Sequence, residues 1–316
     1  MPNPQWQPTA SIQTLRRRAE ILAEIRRYFQ QHQVLEVETP ILSSYGGTDV
    51  NLDAWQTAEG LTLHTSPEFA MKRLLAAGSG DIYQICRVFR QDEQGQRHQP
   101  EFTMLEWYRV GFQENELMDD VATLIEHVSG IRELPRQVIT YAQAFEAQGL
   151  PDPHRASLDM LQAAVRSRLN AAPDNWKRDE CLDALMAMVV EPSLPAETLV
   201  FVQNFPSSQA ALAQHSRIDG VLVARRFELF WGGMELANGY YELTDAQEQA
   251  KRFEQDCQDR LANGQAIPKL DERFLAALSQ GMPECSGVAL GLDRLIMKLL
   301  GKAHIDEVVA FPLAFN

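Results

Sequence analysis

The loop that follows Phe89 carries side chains that suit the binding of a phosphate group. Arg90, Arg97 and His98 lie close together in sequence, around a bend at Gly95. Guanidinium groups grip phosphate oxygens with paired hydrogen bonds, so this composition predicts an anionic, phosphate-bearing ligand. A hairpin with an ordinary charged loop is the alternative that this segment by itself leaves open.

A second group of polar side chains lies beyond a predicted β-hairpin and suits a cationic ligand. Strand-like apolar runs stand on both sides of Gly232-Gly233, which predicts the turn of the hairpin. After the turn, Asn238, Tyr240 and Glu242 have the same parity and would share one face of an extended strand. A cationic side chain needs a carboxylate and an aromatic wall, whereas a solvated outer strand face is the alternative.

Three further patterns predict the elements that position these side chains. The apolar runs Ile82–Phe89 and 102–105 predict two strands on either side of the arginine-bearing loop. A helix is predicted to end near Gln31, before the extended segment 34–42. Near the C-terminus, a glycine-containing strand turns directly into an amphipathic helix with Arg294 in its first turn. In this order, the elements resemble motifs 1, 2 and 3 of the class II aminoacyl-tRNA synthetases, in the form found in the lysyl-tRNA synthetase branch.

The resemblance has consequences for the fold. It runs from about Arg16 to the C-terminus, although residues 145–195 match poorly. It implies an α+β fold, the class II synthetase catalytic fold, in which helices flank an antiparallel β-sheet. We expect residues 1–316 to form a single catalytic domain with a helical insertion at about 145–195.

Composition and charge favour a soluble enzyme. The chain has 316 residues and a formal net charge of -14, and it contains no run of the roughly 18 apolar residues that a membrane span needs. Its polar, proline-containing start is unlike a signal peptide, and its four cysteines have no metal-type spacing. We therefore expect a cytoplasmic protein with reduced thiols. Since the basic residues cluster only at 15–18 and 26–27, tRNA is not expected as the main partner.

The position of the first motif narrows the resemblance. Motif 1 begins around residue 30, and we expect no anticodon-binding barrel of the kind that precedes the catalytic domain in lysyl-tRNA synthetases. This arrangement resembles the family of elongation factor P–lysine ligases. The resemblance implies that ATP and Mg²⁺ are used to activate (R)-β-lysine, or lysine, as an aminoacyl adenylate. The aminoacyl group would then pass to a specific lysine of elongation factor P, the implied protein partner. Because Pro40 matches a proline of the motif 1 dimer interface, a homodimer is implied as well.

Two other functions stay open. A tRNA-dependent lysyl-tRNA synthetase core would carry the same three motifs, but the absent barrel, the acidic charge and Ala289 count against it. A non-catalytic regulatory paralogue would be expected to lose phosphate-binding arginines or magnesium carboxylates, and these are present. The sequence leaves undecided whether the substrate is α- or β-lysine, and how the protein substrate docks.

The resemblance also assigns roles to residues of the amino-acid pocket. Glu242 and Tyr108 match the residues that hold the ε-ammonium group of the substrate, and Glu68 matches a glutamate that binds its α-amino group. Arg90 and Arg294 match catalytic arginines, of which Arg90 contacts both the substrate carboxylate and the α-phosphate. The remaining substrate-binding positions are Ser66, Pro67, Asn238, Tyr240 and Ala289.

A further set of positions is implied for ATP and magnesium. Phe102 and Arg294 match the pair that sandwiches adenine, with Arg294 also reaching the γ-phosphate, and His98 matches a residue that faces the outer phosphates. Glu228 and Glu235 match the magnesium carboxylates, which are hard oxygen ligands of the kind that Mg²⁺ shares with phosphates. The implied ATP-binding positions are Arg90, Gln91, Asp92, His98, Gln99, Phe102, Glu235, Leu236, Gly291 and Arg294.

Three positions depart from the pattern of the family, although the motifs around them otherwise follow it. Gln91-Asp92 stands where the family usually has Asn-Glu after the motif 2 arginine, so we expect function to be retained with altered contact geometry. Ala289 stands where lysyl-tRNA synthetases tend to have glycine. One methyl group in a pocket floor is typically worth about 1–3 kcal/mol of discrimination, so Ala289 could disfavour α-lysine.

Overall fold

The computed structural model describes residues 6–91, 93–169, 173 and 175–313. Helix α1 spans Ile12–Gln31, which confirms the predicted helix end. The elements that follow are β1 Leu35–Glu36, β2 Leu42–Ser43, β3 Thr62–Leu63, α2 Glu68–Ala76, β4 Ile82–Phe89, β5 Glu101–Val110, α3 Glu114–Ser129, β6 Arg136–Thr140, α4 Tyr141–Glu146, α5 Leu158–Arg168, α6 Arg178–Leu185, β7 Leu199–Pro206, β8 His215–Ile218, β9 Val221–Trp231, β10 Glu235–Tyr241, α7 Ala246–Ala262, α8 Glu272–Gly281, β11 Cys285–Gly291 and α9 Leu292–Leu300.

A large β-sheet lies at the centre of the protein. Its strand order is β1-β4-β5-β11-β10-β9-β7-β6, and β8 pairs with β9 outside this path. The pairings from β4 through to β7 are antiparallel, whereas the edge pairings β1–β4 and β6–β7 are parallel. Helices pack on both faces of the sheet. The predicted α+β fold, with an antiparallel sheet flanked by helices, is therefore confirmed.

The main hydrophobic core fills one face of the sheet. Leu105, Leu290 and Leu229 belong to one cross-strand row and are fully buried there, in a cluster with residues of α1, α3 and α9. Successive residues of a strand point to opposite faces, so burying this row turns its neighbours along each strand to the other face. Those neighbours include most of the polar residues that the sequence singled out.

The opposite face of the sheet is covered at its two ends and left open in the middle. At one end, α4, α5 and α6 pack on β7 and β9 in a second apolar cluster. At the other end, α2, α7 and α8 pack on β4, β5 and β11 in a third cluster. Residues 145–195 are largely helical where they are described, and that this stretch is an insertion stays a prediction. In the described part of the chain, none of the helices has the length and apolar character needed to cross a membrane.

Local sequence explains the turns that hold these strands in place. Gly232 and Gly233 both have positive φ, 64° and 63°, and join β9 to β10 as the predicted two-residue hairpin. Both turn positions require backbone conformations that glycine adopts without steric cost. The predicted strand-to-helix junction is also confirmed, since β11 ends at Gly291 and α9 begins at Leu292.

Candidate active site

A cavity of about 1390 Å³ lies over the open middle of the sheet. Its floor includes Gly287, Ala289 and Gly291 of β11, which share one face of that central strand. Three small residues in a row leave the space that large side chains would otherwise fill. The cavity therefore follows from the composition of β11, and larger side chains on the neighbouring strands form its walls.

Strand register places the polar residues of the cavity in two rows. In the first row, Glu106 of β5 faces Ala289, which faces Asn238 of β10, which faces Glu228 of β9. The second row runs in the same way through Tyr108, Gly287, Tyr240 and Arg226. Four strands from three distant parts of the sequence thus contribute to one surface.

One end of the cavity is rich in buried carboxylates. Glu68 opens α2, and Lys72 follows one helical turn later, where i and i+4 side chains meet. The Lys72 ammonium group lies 2.6 Å from Glu68 Oε1 and also 2.6 Å from Glu242 Oε2. The two carboxylates therefore approach one another to within about 5 Å through a shared cation. Lys72 itself is fully buried.

Glu106 adds a third carboxylate to this end. It is 2% exposed, and it accepts hydrogen bonds from the Ser66 hydroxyl at 2.8 Å and from the Tyr108 hydroxyl at 2.7 Å. Burial, reinforced by the charge of Glu68, raises the pKa of Glu106 to about 7. Burial likewise raises the pKa of Glu242 to about 8, although Lys72 opposes the shift. A further cationic partner beside these buried carboxyl groups would lower their pKa values and stabilise the ionised forms.

Arg226 organises the wall next to the carboxylate end. Its guanidinium group lies 2.6 Å from Glu228 Oε1, donates to Asn238 Oδ1 at 3.2 Å, and stacks over the Phe205 ring. Burial raises the pKa of Glu228 to about 7, with Arg226 opposing the shift and the charge of Glu235 adding to it. The repulsion from Glu235 is what a divalent cation near both carboxylates would relieve.

The opposite end of the cavity carries arginines. The Arg90 guanidinium donates to Glu93 Oε1 at 3.1 Å and to the Thr65 carbonyl at 3.3 Å, and it lies 5.2 Å from the centre of the Phe102 ring. The contacts with Glu93 and Thr65 are both hydrogen bonds from the Arg90 guanidinium group to acceptor oxygens of the protein. Acceptor oxygens of a ligand can take the place of these protein oxygens. Phe102 provides an aromatic face beside this cation.

Arg294 is the second arginine at this end. It donates to the Glu235 carboxylate and to the Glu235 carbonyl, each at 3.1 Å, and to the Arg97 carbonyl at 3.3 Å. Burial and the neighbouring Arg294 lower the pKa of His98. His98 is consequently neutral near pH 7, and it can serve as a hydrogen-bond donor without adding a positive charge.

Comparisons with known proteins identify the family. The model of the class II tRNA synthetases (D, K and N) matches residues 6–314. The elongation factor P–(R)-β-lysine ligase of Avibacterium paragallinarum is 48% identical over 318 residues, which cover 98% of each chain. The corresponding ligase of Haemophilus ducreyi is 49% identical over 97% of this chain and 95% of its own. That of Pasteurella multocida is 47% identical over 98% of this chain and 97% of its own.

The chain belongs to the class II tRNA synthetase family. The family resemblance that the three motifs indicated is thereby confirmed. The matched range includes every strand that contributes to the cavity, and it also includes residues 145–195.

The structure brings together nearly all the residues that the class II synthetase motifs predicted. All of the positions predicted for the amino acid, ATP and magnesium line the one cavity, except Gln91 and Asp92. The Gln91 amide donates to the Ala54 carbonyl at 2.9 Å, and Asp92 lies outside the described residues. The role of each position stays a prediction.

Three residues of this class II synthetase site were missed by the sequence reasoning. Glu106 has the same parity as Tyr108 in β5, so the alternation rule that grouped Asn238 with Tyr240 would have found it if the predicted strand had been extended beyond residue 105. Lys72 stands four residues after Glu68, which is a recognisable helical ion-pair spacing. Arg226 precedes Glu228 by two residues in β9, but its contact with Asn238 depends on strand pairing that no local signal reveals.

Proposed function

We propose that this protein uses ATP to activate (R)-β-lysine, or a closely similar diamino acid, and transfers it to a specific lysine of elongation factor P. The observation that carries this proposal is one continuous cavity with buried carboxylates at one end and arginines at the other. Support also comes from relatives of 47–49% identity over almost the whole chain, which are elongation factor P–(R)-β-lysine ligases.

The charges at the carboxylate end favour a substrate with two ammonium groups. Glu68, Glu106 and Glu242 together carry three negative charges when ionised, and Lys72 supplies one positive charge. The net charge of these four side chains is then minus two, which the two ammonium groups of lysine or β-lysine match. Buried charges are tolerated when they are paired and hydrogen-bonded, so a substrate with one ammonium group would leave a carboxylate without a partner.

The first chemical step forms an aminoacyl adenylate. A carboxylate oxygen of the amino acid attacks the α-phosphorus of ATP, the bond to the bridging oxygen breaks, and pyrophosphate leaves. Arg90 exchanges its contact with Glu93 for the substrate carboxylate and the α-phosphate, and Arg294 contacts the γ-phosphate and one face of adenine. Positioning and fixed positive charge account for the rate, because the protein needs no covalent intermediate.

Magnesium fits the residues that the family resemblance implies. In the described part of the chain, no group of three or more His, Cys, Asp or Glu side chains is arranged to hold a metal ion on its own. Glu228 and Glu235 both line the cavity, and each repels the other. Two carboxylates that share a magnesium ion with substrate phosphates match the preference of this metal. When bound, the ion neutralises phosphate charge.

The second step transfers the aminoacyl group. The ε-amine of the acceptor lysine attacks the carbonyl carbon of the adenylate, the amide bond forms, AMP leaves, and the attacking nitrogen loses a proton. The amine must be unprotonated to attack, whereas a free lysine with a pKa of about 10.4 is mostly protonated at neutral pH.

The decisive experiment is the intact mass of purified elongation factor P after incubation with this protein, ATP, Mg²⁺ and (R)-β-lysine, with tRNA omitted. We expect a gain of one lysyl unit that is larger with β-lysine than with α-lysine. An Arg294→Ala variant serves as the control for carry-over modification and should give no gain. Unmodified elongation factor P that is confirmed to be folded would reject the proposed acceptor.

We also propose that the protein is a cytosolic homodimer. The edge strand β1 and the segment after it expose the apolar side chains of Leu35, Ile41 and Leu42, whose exposed fractions are 54%, 38% and 47%. Exposed apolar groups at a sheet edge are a common feature of association surfaces. Light scattering during size-exclusion chromatography tests this proposal, and a monomeric mass at micromolar concentration would reject it.

A further inference from the structure

We infer that Lys72 is a positioning residue that sets the charge of the pocket for the substrate's ammonium groups. It does so by holding the carboxyl groups of Glu68 and Glu242 close together around one buried positive charge. The inference rests on the proposed function, and it extends that function to a residue that does not contact the substrate.

Lys72 is buried beneath the surface of the cavity. Its side chain is fully buried, and it is absent from the cavity lining although both of its carboxylate partners line the cavity. It therefore lies behind the wall that Glu68 and Glu242 form. Its ammonium nitrogen is 2.6 Å from an oxygen of each partner, which places one buried cation between two carboxylates.

An aromatic ring and several titratable groups surround Lys72 and its partners. Phe274 of α8 lies on one side, with its ring centre 6.0 Å from the ammonium nitrogen. The titratable groups whose charges interact with this cluster come from several elements. They are Glu68 on α2, Glu106 and Tyr108 on β5, Tyr240 on β10, Glu242 after β10, and Cys285 on β11.

The physical reason is mutual stabilisation of buried charges. Burial alone would lower the pKa of Lys72, but the carboxylates of Glu242 and Glu68 raise it above that of free lysine. Lys72 in turn opposes the upward pKa shifts that burial imposes on Glu242 and Glu106. Without this cation, carboxylates within about 5 Å of one another would share protons and would present a neutral hydroxyl to the substrate.

Lys72 thereby bears on substrate choice. With the cation present, the ionised pocket has a net charge of minus two, which pairs with a diammonium substrate. Removing it leaves three carboxylates that reach the same net charge only by binding a proton. That proton lies on one of the carboxyl groups that face the substrate's ammonium groups, and the protonated group cannot act as an anionic acceptor until it loses the proton. Substrate affinity therefore becomes dependent on pH over a higher range.

The test compares Lys72→Met with Lys251→Met, a matched substitution at an exposed position of α7. Lysine-dependent ATP–pyrophosphate exchange is measured at saturating ATP across a pH series, and the Kd for ATP is measured separately by calorimetry. We expect the KM for lysine to rise about tenfold in Lys72→Met for each unit by which the pocket pKa rises. The pH midpoint of the KM profile should move upward, and the Kd for ATP should match that of Lys251→Met.

A double variant keeps the inference testable if Lys72→Met folds poorly. Lys72→Met combined with Glu68→Gln leaves Glu106 and Glu242 as the two charges of the pocket. Its pH midpoint should return toward the wild-type value, which a merely structural role for Lys72 would not produce.

Each contrary outcome has its own meaning. A KM profile of Lys72→Met that coincides with that of Lys251→Met overturns the inference, and so does a double variant whose midpoint rises further. An equal loss of affinity for lysine and for ATP also overturns it, in favour of general damage to the site. Exchange by the wild type is checked first, because its absence would reject the proposed function itself.

Discussion

Gly287 lies in the floor of the proposed amino-acid pocket, and replacing it with alanine should damage that pocket specifically. A methyl group at this position would lie less than 3.0 Å from Glu242 Oε1 and from the Tyr108 ring. Side-chain carbon atoms essentially never approach other atoms so closely, so the neighbours would have to move. Neither neighbour can move easily. Glu242 is 1% exposed and ion-paired with Lys72, and Tyr108 is 2% exposed and hydrogen-bonded to Glu106.

The size of the effect follows from these contacts. Overpacking a well-filled site costs about 1–3 kcal/mol, because the neighbours must leave their preferred rotamers. In a domain of this size, the loss corresponds to a decrease in Tm of roughly 1.5–4.5 °C. Displacement of the Glu242 carboxylate would also weaken the charge-assisted hydrogen bond that we propose it makes to the substrate, which is worth about 1.5–3 kcal/mol. That loss should raise the KM for lysine about 10- to 150-fold.

The assay is lysine-dependent ATP–pyrophosphate exchange, together with thermal unfolding of each variant. Gly95→Ala is a matched control, since a methyl group there meets open space and the backbone φ is ordinary. Gly287→Ala should raise the KM for lysine well above that of the control while leaving the KM for ATP close to it. If the KM for lysine and the Tm of Gly287→Ala both equal those of Gly95→Ala, the proposed closeness of Glu242 and Tyr108 to the strand is refuted.

Three other predictions concern the chemistry of the cavity. The pKa values of Glu106 and Glu242, raised to about 7 and about 8, mean that both carboxyls lose protons as pH increases. The proposed diammonium substrate should bind the ionised forms, so we expect the KM for lysine to fall between pH 6 and pH 8, and a flat profile would contradict this. Arg294→Ala should abolish adenylate formation in the exchange assay, and full activity would exclude an ATP site there. Ala289→Gly should improve kcat/KM for α-lysine relative to β-lysine by about 5- to 150-fold, equivalent to roughly 1–3 kcal/mol, and an unchanged ratio would show that the methyl group has no part in the choice.

Much of the fold follows from local patterns in the sequence. The turn at Gly232-Gly233 is predictable because only glycine readily adopts positive φ at both positions of a tight hairpin. The strand-to-helix junction at Gly291 is predictable from a different local signal, which is the change in the spacing of apolar residues. These signals act over a few residues, so they survive without knowledge of the rest of the chain.

The placement of individual side chains is less predictable. Gln91 follows a predicted catalytic arginine, yet its amide donates to the Ala54 carbonyl. The two residues are 37 positions apart, so only the folded chain brings them together. Lys72 was overlooked because a lysine on a helix is usually solvated, and its burial depends on Phe274 and Glu242 from later elements.

The sequence by itself therefore determined which chemical groups are available and which of them share a strand face, since side-chain alternation is a local property of the backbone. It indicated arginines for an anion, carboxylates and aromatic rings for a cation, and a strand with small residues near the C-terminus. Only the tertiary structure decided which charges meet. The register of β5, β11, β10 and β9 sets Glu106 and Glu228 in one row, and the packing of α2 inserts Lys72 between Glu68 and Glu242. Electrostatic energies depend on distances of a few ångströms between groups that are remote in sequence, and those distances exist only once the chain has folded.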